Sequence, residues 1–326
     1  MSNEYLTTDS KHLVSMYPCN KQELIQYKDA LLPALLLCQR KINSVPFSFT
    51  INKSSSTYTL PTLVEQQTNA ILETYKNSVI YNNINIRLDD FSANNNSIDL
   101  KYSLTTYFNS LLTNRIMDCP LAGTLTIRDL YEPGPLLHEL SDSVLSNHLG
   151  FNGFVELADE RIIFVKRNSK LSIGQNMWSQ SIGASLKTMY AVENGALTVN
   201  GISNAIRKEI YDELRIAIDD SVDLSDSIFA FYRDLVEGGK PQFLFYYKCN
   251  FMDTKSFVEN FKYEMNKIRK ENERLQIVDG EIFEFYSLND LKTSDIYDDR
   301  IVVDNKTMHM MPSSLTSIAL LLNNIN

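Results

Sequence analysis

Three acidic side chains stand close together in a stretch that has the sequence pattern of a helix, residues 201–218. Glu209, Asp212 and Glu213 are three and four residues apart, so a helix places their carboxylates side by side. Ser203 or Asn204 can cap this helix. An apolar stripe recurs at every fourth residue and predicts a face buried in a core: Ile206, Ile210 and Leu214.

Carboxylates that lie so close repel one another unless a cation joins them. Mg²⁺ prefers carboxylate oxygens and retained water molecules, so these three acids are candidate magnesium ligands. The alternative is a solvated helix face, on which Arg207, Lys208 and Arg215 balance the acids in ordinary charge pairs.

The same stretch resembles the signature of the Nudix hydrolases, which ends in Arg-Glu-apolar-x-Glu-Glu-x-Gly-apolar with an alanine three residues ahead. The residues that carry the resemblance are Ala205, Lys208, Glu209, Ile210, Asp212, Glu213 and Ile216. The sequence departs from the signature in having Lys208 for arginine, Asp212 for glutamate and Arg215 for glycine. Asn200 also stands where the signature has a further glutamate.

The segments around the acidic helix follow the order found in this family. Two strand-like runs, residues 151–157 and 161–167, precede Trp178 and Gly183, and an inserted loop then leads to the helix. A second hairpin, a helix and a late acidic strand over residues 281–291 follow. The resemblance therefore implies an α/β fold, a Nudix-like mixed β-sheet sandwiched between helices, over residues 147–326.

The implied reaction is hydrolysis of the diphosphate bond in a nucleoside diphosphate linked to another group. By resemblance, Glu209, Asp212 and Glu213 hold Mg²⁺ or Mn²⁺, which lowers the pKa of a bound water. Glu213, Glu281 or Glu284 could accept the proton of that water, and Arg167, Lys166 or Lys208 could contact phosphate. Aromatic residues of the two hairpins could stack on a base: Phe151, Phe245 and Tyr247. The turn of the second hairpin contains Glu237, for which we expect no function.

A second hypothesis is a catalytically reduced Nudix fold that binds a nucleotide as a sensor or regulates a partner. The departures at Asn200, Asp212 and Arg215 favour it. A protein-interaction scaffold would neither bind nor hydrolyse a nucleotide.

The first part of the chain, residues 1–135, is predicted to be a separate α+β module of unknown role. Its pattern predicts a helix over residues 21–41 and then alternating strands and helices, with no recognisable catalytic motif. The run Glu132-Pro133-Gly134-Pro135 is typical of a turn and is taken as the linker.

Composition limits the classes of partner. Of 326 residues, 44% are hydrophobic, and the net charge of −9 argues against non-specific binding of nucleic acid. No stretch has the length of a membrane span, and the four scattered cysteines indicate reduced thiols. We therefore expect a cytoplasmic protein that binds a nucleotide-type small molecule and no membrane, and homodimer formation stays open.

Overall fold

The computed structural model describes residues 9–55, 57–76, 78, 80–122, 124–171, 173–271 and 279–325. The helices are α1 (Ser10–Met16), α2 (Thr62–Gln66), α3 (Thr68–Glu73), α4 (Tyr107–Leu112), α5 (Ile127–Tyr131), α6 (Thr188–Ala191), α7 (Val199–Leu214), α8 (Thr254–Glu271), α9 (Leu288–Lys292) and α10 (Pro312–Ile325). The strands are β1 (Leu24–Tyr27), β2 (Ala30–Gln39), β3 (Ser48–Lys53), β4 (Ile84–Asn94), β5 (Ser97–Thr106), β6 (Pro120–Ala122), β7 (Leu125–Thr126), β8 (Gly150–Leu157), β9 (Ile162–Lys166), β10 (Trp178–Ser179), β11 (Ile182–Ser185), β12 (Val192–Glu193), β13 (Ala196–Leu197), β14 (Ile228–Asp234), β15 (Lys240–Cys249), β16 (Ile282–Tyr286), β17 (Asp295–Ile296), β18 (Arg300–Val303) and β19 (Lys306–His309).

A nine-stranded mixed sheet forms the centre of the molecule. Its order is β1-β2-β14-β15-β8-β9-β10, with β11 paired to β8 and β16 paired to β9. The pair β15–β8 is parallel and the other pairs are antiparallel. The predicted mixed α/β class is confirmed.

Alternate residues of the strands enter two different apolar cores. In β9, Ile163 and Val165 join a core that contains the apolar stripes of α7 and α8. Ile162 and Phe164 join the core formed with α10. Because strand side chains alternate between faces, helices cover both faces of this sheet. Whether this matches the Nudix arrangement in particular stays a prediction.

The predicted helix over residues 21–41 is wrong, since this segment forms the hairpin β1–β2. Lys28 takes a left-handed conformation with φ of 51° and reverses the chain between the two strands. β2 is then paired on both sides, by β1 and by β14. A strand inside a sheet has an uninterrupted apolar run, which cannot be told from a buried helix by periodicity alone.

The segments before and after residues 135–147 share a sheet and a core. β1 and β2 belong to the nine-stranded sheet. A second sheet, β3-β5-β4, places Ile86, Leu100 and Tyr102 in the core that contains α7. The division into residues 1–135 and 147–326 stays a prediction about independent folding, although the packing is continuous across it.

Helix α7 begins earlier than its sequence predicts. Thr198, rather than Ser203 or Asn204, caps it by accepting the N–H of Gly201 at 2.8 Å. Gly201 has no room for a side chain, because a Cβ there would lie 2.0 Å from the carbonyl oxygen of Ala191. The helix ends where Arg215 adopts a left-handed conformation with φ of 58°, a conformation that is usual for glycine. In the part of the chain that the structure describes, no helix is both long and apolar enough to cross a lipid bilayer.

Candidate functional site

Helix α7 presents two of the predicted acids to one cavity. Glu209 and Glu213 lie one turn apart and both line a cavity of about 250 Å³. Glu209 is buried and Glu213 is partly exposed. Lys187, which follows β11, donates a hydrogen bond from its Nζ to the Oε1 of Glu209 at 2.5 Å. Burial disfavours the charged lysine, but Glu209 outweighs it and raises the pKa of Lys187.

Asp279 joins this acidic part of the cavity from a distant point in the sequence. Its backbone N–H donates to Oε2 of Glu213, and its own Oδ2 accepts from Nη1 of Arg167 at 2.7 Å. Loss of hydration, followed by the charges of Asp279 and Glu209, raises the pKa of Glu213 well above its ordinary value. Three carboxylates therefore share one wall with two cations, so negative charge is in excess there.

The other predicted site residues do not line this cavity. Asp212 forms an ion pair with Lys208 along the helix, and Lys208 lines a separate groove with Tyr190 and Tyr211. Glu281 pairs with Arg269 at 2.6 Å, and Glu284 pairs with Lys306. Lys166 is the last residue of β9. Of the eight predicted site residues, three line the cavity, namely Glu209, Glu213 and Arg167, and the other five do not.

A second charged group lines the same cavity, and the sequence did not reveal it. Glu237 is buried in the turn between β14 and β15, where its Oε1 accepts from Arg115 and its Oε2 lies 3.1 Å from Nζ of Lys240. Burial, and then the charge of Glu237, raises the pKa of neighbouring Asp234 to about 7. Burial, and then the charge of Arg115, lowers the pKa of Lys240 to about 8. The expectation that Glu237 has no role is not supported by this position.

Four buried carboxamide side chains also line the cavity, and we refer to them as the carboxamide wall: Asn85, Asn152, Gln180 and Gln242. They come from β4, β8, the β10–β11 connection and β15. No spacing rule could have joined them, since they are separated by dozens of residues. Their shared signal in the sequence is only that each is a polar residue in or beside an apolar strand.

The aromatic residues predicted to stack on a base are elsewhere. Phe151 and Phe245 are fully buried in the core that contains α7, and Tyr247 packs against that core. The tyrosines that line the cavity are Tyr81 and Tyr107, from the segments beside β4 and β5.

The acids of the cavity could supply only a small ligand set to a metal ion. Among the described residues, no group of three or more His, Cys, Asp and Glu side chains is placed to hold a metal. Magnesium sites, however, often use one or two carboxylates, with water and substrate phosphates completing the shell. Glu209 and Glu213 fit that smaller set because both line the cavity, whereas Asp212 does not fit it.

No protein-family model and no curated protein matches the sequence. Among solved structures, a MutT protein from Methanosarcina mazei Go1 has a TM-score of 0.29 and 8% identity, covering 55% of this chain and 94% of that one. DR0079 from Deinococcus radiodurans has a TM-score of 0.25 and 14% identity, covering 44% of this chain and 70% of that one.

Proposed function

We propose that the protein hydrolyses the diphosphate bond of a nucleoside diphosphate linked to another group, with Mg²⁺ or Mn²⁺ as cofactor. The observation that carries this proposal is the pair Glu209 and Glu213, which line one cavity together with Arg167 and Lys187. Acidic groups that can hold a hard cation, next to basic groups that can hold phosphate, are what this chemistry needs. The substrate class comes from the sequence resemblance of α7.

Glu209 and Glu213 are the residues proposed to hold the metal ion. When bound, the metal would neutralise phosphate oxygens and lower the pKa of a water molecule. The excess of negative charge around Glu213 favours this role, since its carboxylate forms no ion pair in the described part of the chain and lies near Glu209 and Asp279. A cation between Glu209 and Glu213 would relieve their repulsion.

Other side chains of the cavity bind and orient the substrate. Arg167 is proposed to contact phosphate through its guanidinium group, which Asp279 and the carbonyl oxygen of Ile173 hold in place. Lys187 would contact a second phosphate oxygen after leaving Glu209. Of the three acids considered as general base, Glu213 alone lines the cavity, so we assign it the proton of the attacking water.

A second candidate function is nucleotide binding without turnover. The ion pair between Lys187 and Glu209 favours it, because the ammonium group binds a carboxylate oxygen that a metal ion would need as a ligand. The pairing of Asp212 with Lys208, away from the cavity, removes a further carboxylate from the metal site. In this alternative the lysine replaces the cation and the diphosphate binds without being cleaved.

The experiment that separates the two is a turnover assay with a panel of nucleotides. The panel contains nucleoside triphosphates, ADP-ribose, dinucleotides and sugar nucleotides, each with Mg²⁺, with Mn²⁺ and with EDTA. Metal-dependent release of a nucleoside monophosphate that Glu213→Gln abolishes would support hydrolysis. Tight binding with no product from any member of the panel would support the second candidate instead.

A further inference from the structure

We propose that the carboxamide wall binds the base of the nucleotide, with Asn85 and Gln180 making the contacts that distinguish a base from a bare sugar phosphate. This inference rests on the proposed function only for the class of ligand. The evidence for a ligand at this wall is independent of Glu209 and Glu213.

Buried amide groups on this wall have no hydrogen-bond partner among the described residues. Asn85 is 1% exposed, and neither its Oδ1 nor its Nδ2 is paired. Gln180 is 3% exposed, and its Oε1 is unpaired. About nine in ten buried polar groups or more form a hydrogen bond, because a group that forms none loses its hydration without compensation. A ligand that enters the cavity could supply the hydrogen-bond partners that these amides lack.

The hydrogen bonds around Gln180 fix which of its side-chain atoms is left unpaired. Its Nε2 donates to the carbonyl oxygen of Ile182 at 2.9 Å and to Oδ1 of Asn152 at 2.8 Å. A backbone carbonyl can only accept, so the nitrogen must lie on that side. The free atom of Gln180 is thus an acceptor, and the ligand must supply an N–H or O–H.

The charges near the wall argue against a second anion as its ligand. Arg115 and Lys240 are both held by Glu237, and the buried carboxyl group of Asp234 lies close to them. Two cations thus face two acids. The atoms left without partners include the neutral amides of Asn85 and Gln180 and the Nε of Arg115. A phosphate or carboxylate offers acceptors only and could not satisfy Gln180.

A nucleobase has the complementary chemistry. Its edge carries donors beside acceptors, which a carboxamide such as Asn85 can pair with through both of its atoms, as asparagine and glutamine do in reading bases. Tyr81 and Tyr107 line the same cavity and could cover the face of a ring. Asn85 belongs to β4, so on this reading the first part of the chain contributes base recognition.

The test compares binding of AMP, GMP, CMP, UMP and ribose 5-phosphate by calorimetry, in EDTA so that no hydrolysis occurs. We expect at least one nucleotide to bind about tenfold or more tightly than ribose 5-phosphate, since one good bidentate amide pair gives discrimination of this size. Asn85→Ala should remove this margin and leave the affinity for ribose 5-phosphate unchanged. Asn94→Ala, at an exposed position on the same strand, should keep it.

A readout of stability separates ligand binding from a structural role. Without nucleotide, the melting temperature of Asn85→Ala should be equal to or above that of the wild type, because the removed amide has no partner to lose. Gln180→Met, which has a similar volume, provides a second variant with the same expected loss of margin.

Two results would overturn the inference: no nucleotide binding more tightly than ribose 5-phosphate, or an unchanged margin in both variants. Failure of the proposed function looks different. Base-dependent binding without metal-dependent hydrolysis would support this inference and contradict hydrolysis. Metal-dependent hydrolysis at the same rate for every base, with unchanged kcat/KM in Asn85→Ala, would support the proposed hydrolysis and contradict this inference.

Discussion

Replacing Glu213 by glutamine separates its proposed chemistry from its contribution to the fold. The amide keeps the length and shape of the side chain and can still accept the N–H of Asp279 through its oxygen. It removes the negative charge that would hold the metal and accept the proton of water. General acid–base catalysis alone contributes about a hundredfold to ten-thousandfold, so we expect turnover to fall by about a hundredfold or more, or about 2.7 kcal/mol in barrier height.

The same change should not destabilise the metal-free protein. The carboxylate of Glu213 lies near Glu209 and Asp279 without an ion pair of its own in the described part of the chain, and the neutral amide relieves that repulsion. We therefore expect the free energy of unfolding in EDTA to rise slightly or to stay within about 0.5 kcal/mol of the wild type. Loss of activity together with unchanged or increased stability is the pattern expected of a residue kept for function.

The assay measures nucleoside monophosphate release under Mg²⁺ and urea unfolding in EDTA on the same preparations. Glu259→Gln, on the exposed side of α8, is the matched control and should change neither quantity. Glu237→Gln cannot serve as a control, because it would leave the partly buried Arg115 and the buried Lys240 without their shared acid. Full activity of Glu213→Gln on an identified substrate, or a large loss of stability, would refute the reasoning.

Three further outcomes are expected. Mg²⁺ at one hundred times its dissociation constant should raise the free energy of unfolding by about 2.7 kcal/mol and therefore raise the melting temperature. The shift in melting temperature should be smaller in Glu209→Gln, and equal shifts in the two proteins would contradict a metal site here. His148 is fully buried beside two cations, and burial lowers its pKa well below its usual value. As the pH falls below about 6.5, His148 takes up a proton in the unfolded chain before it does so in the folded protein. The free energy of unfolding therefore decreases below about pH 6.5, by up to about 1.4 kcal/mol per pH unit. Urea unfolding of His148→Leu should lack that part of the slope, whereas the exposed His309→Gln should keep it. Arg128→Met should lower the free energy of unfolding by about 3 kcal/mol, because it breaks a buried charge pair, and the surface variant Arg269→Met should change it by less than about 1 kcal/mol.

Local patterns predicted the elements of the second part of the chain. The hairpins β8–β9 and β14–β15, and the helices α7 and α8, all appear close to the predicted positions. Each carries its own periodic apolar pattern and a turn or cap of its own, so short-range information suffices. In the first part of the chain the prediction was wrong at β2. This strand is paired on both sides, and its sequence is an uninterrupted apolar run instead of an alternating one.

Spacing within one helix predicted two residues of the cavity, and the family resemblance added Arg167. Glu209 and Glu213 share a face because they are four residues apart, which a sequence shows directly. Asp279, which precedes β16, contacts Glu213, and Lys187, which follows β11, contacts Glu209. Asp212 lies between the two glutamates in sequence but faces Lys208, since a single step along a helix turns a side chain by about 100°.

The turn between β14 and β15 shows why a division near residues 135–147 would divide the site as well. Arg115 bonds to the side chain of Glu237 in that turn, and Arg128 donates to the carbonyl oxygen of Leu235 at 2.8 Å. Both arginines come from the first part of the chain. Glu237 of the turn also pairs with Lys240 and so holds that lysine at the cavity. Arginine side chains that bond to a turn restrict its conformations, so the charged part of the cavity depends on contacts across the division. The acids of α7 could assemble without the first part of the chain, but the carboxamide wall would lose Asn85 and the cavity would lose Arg115.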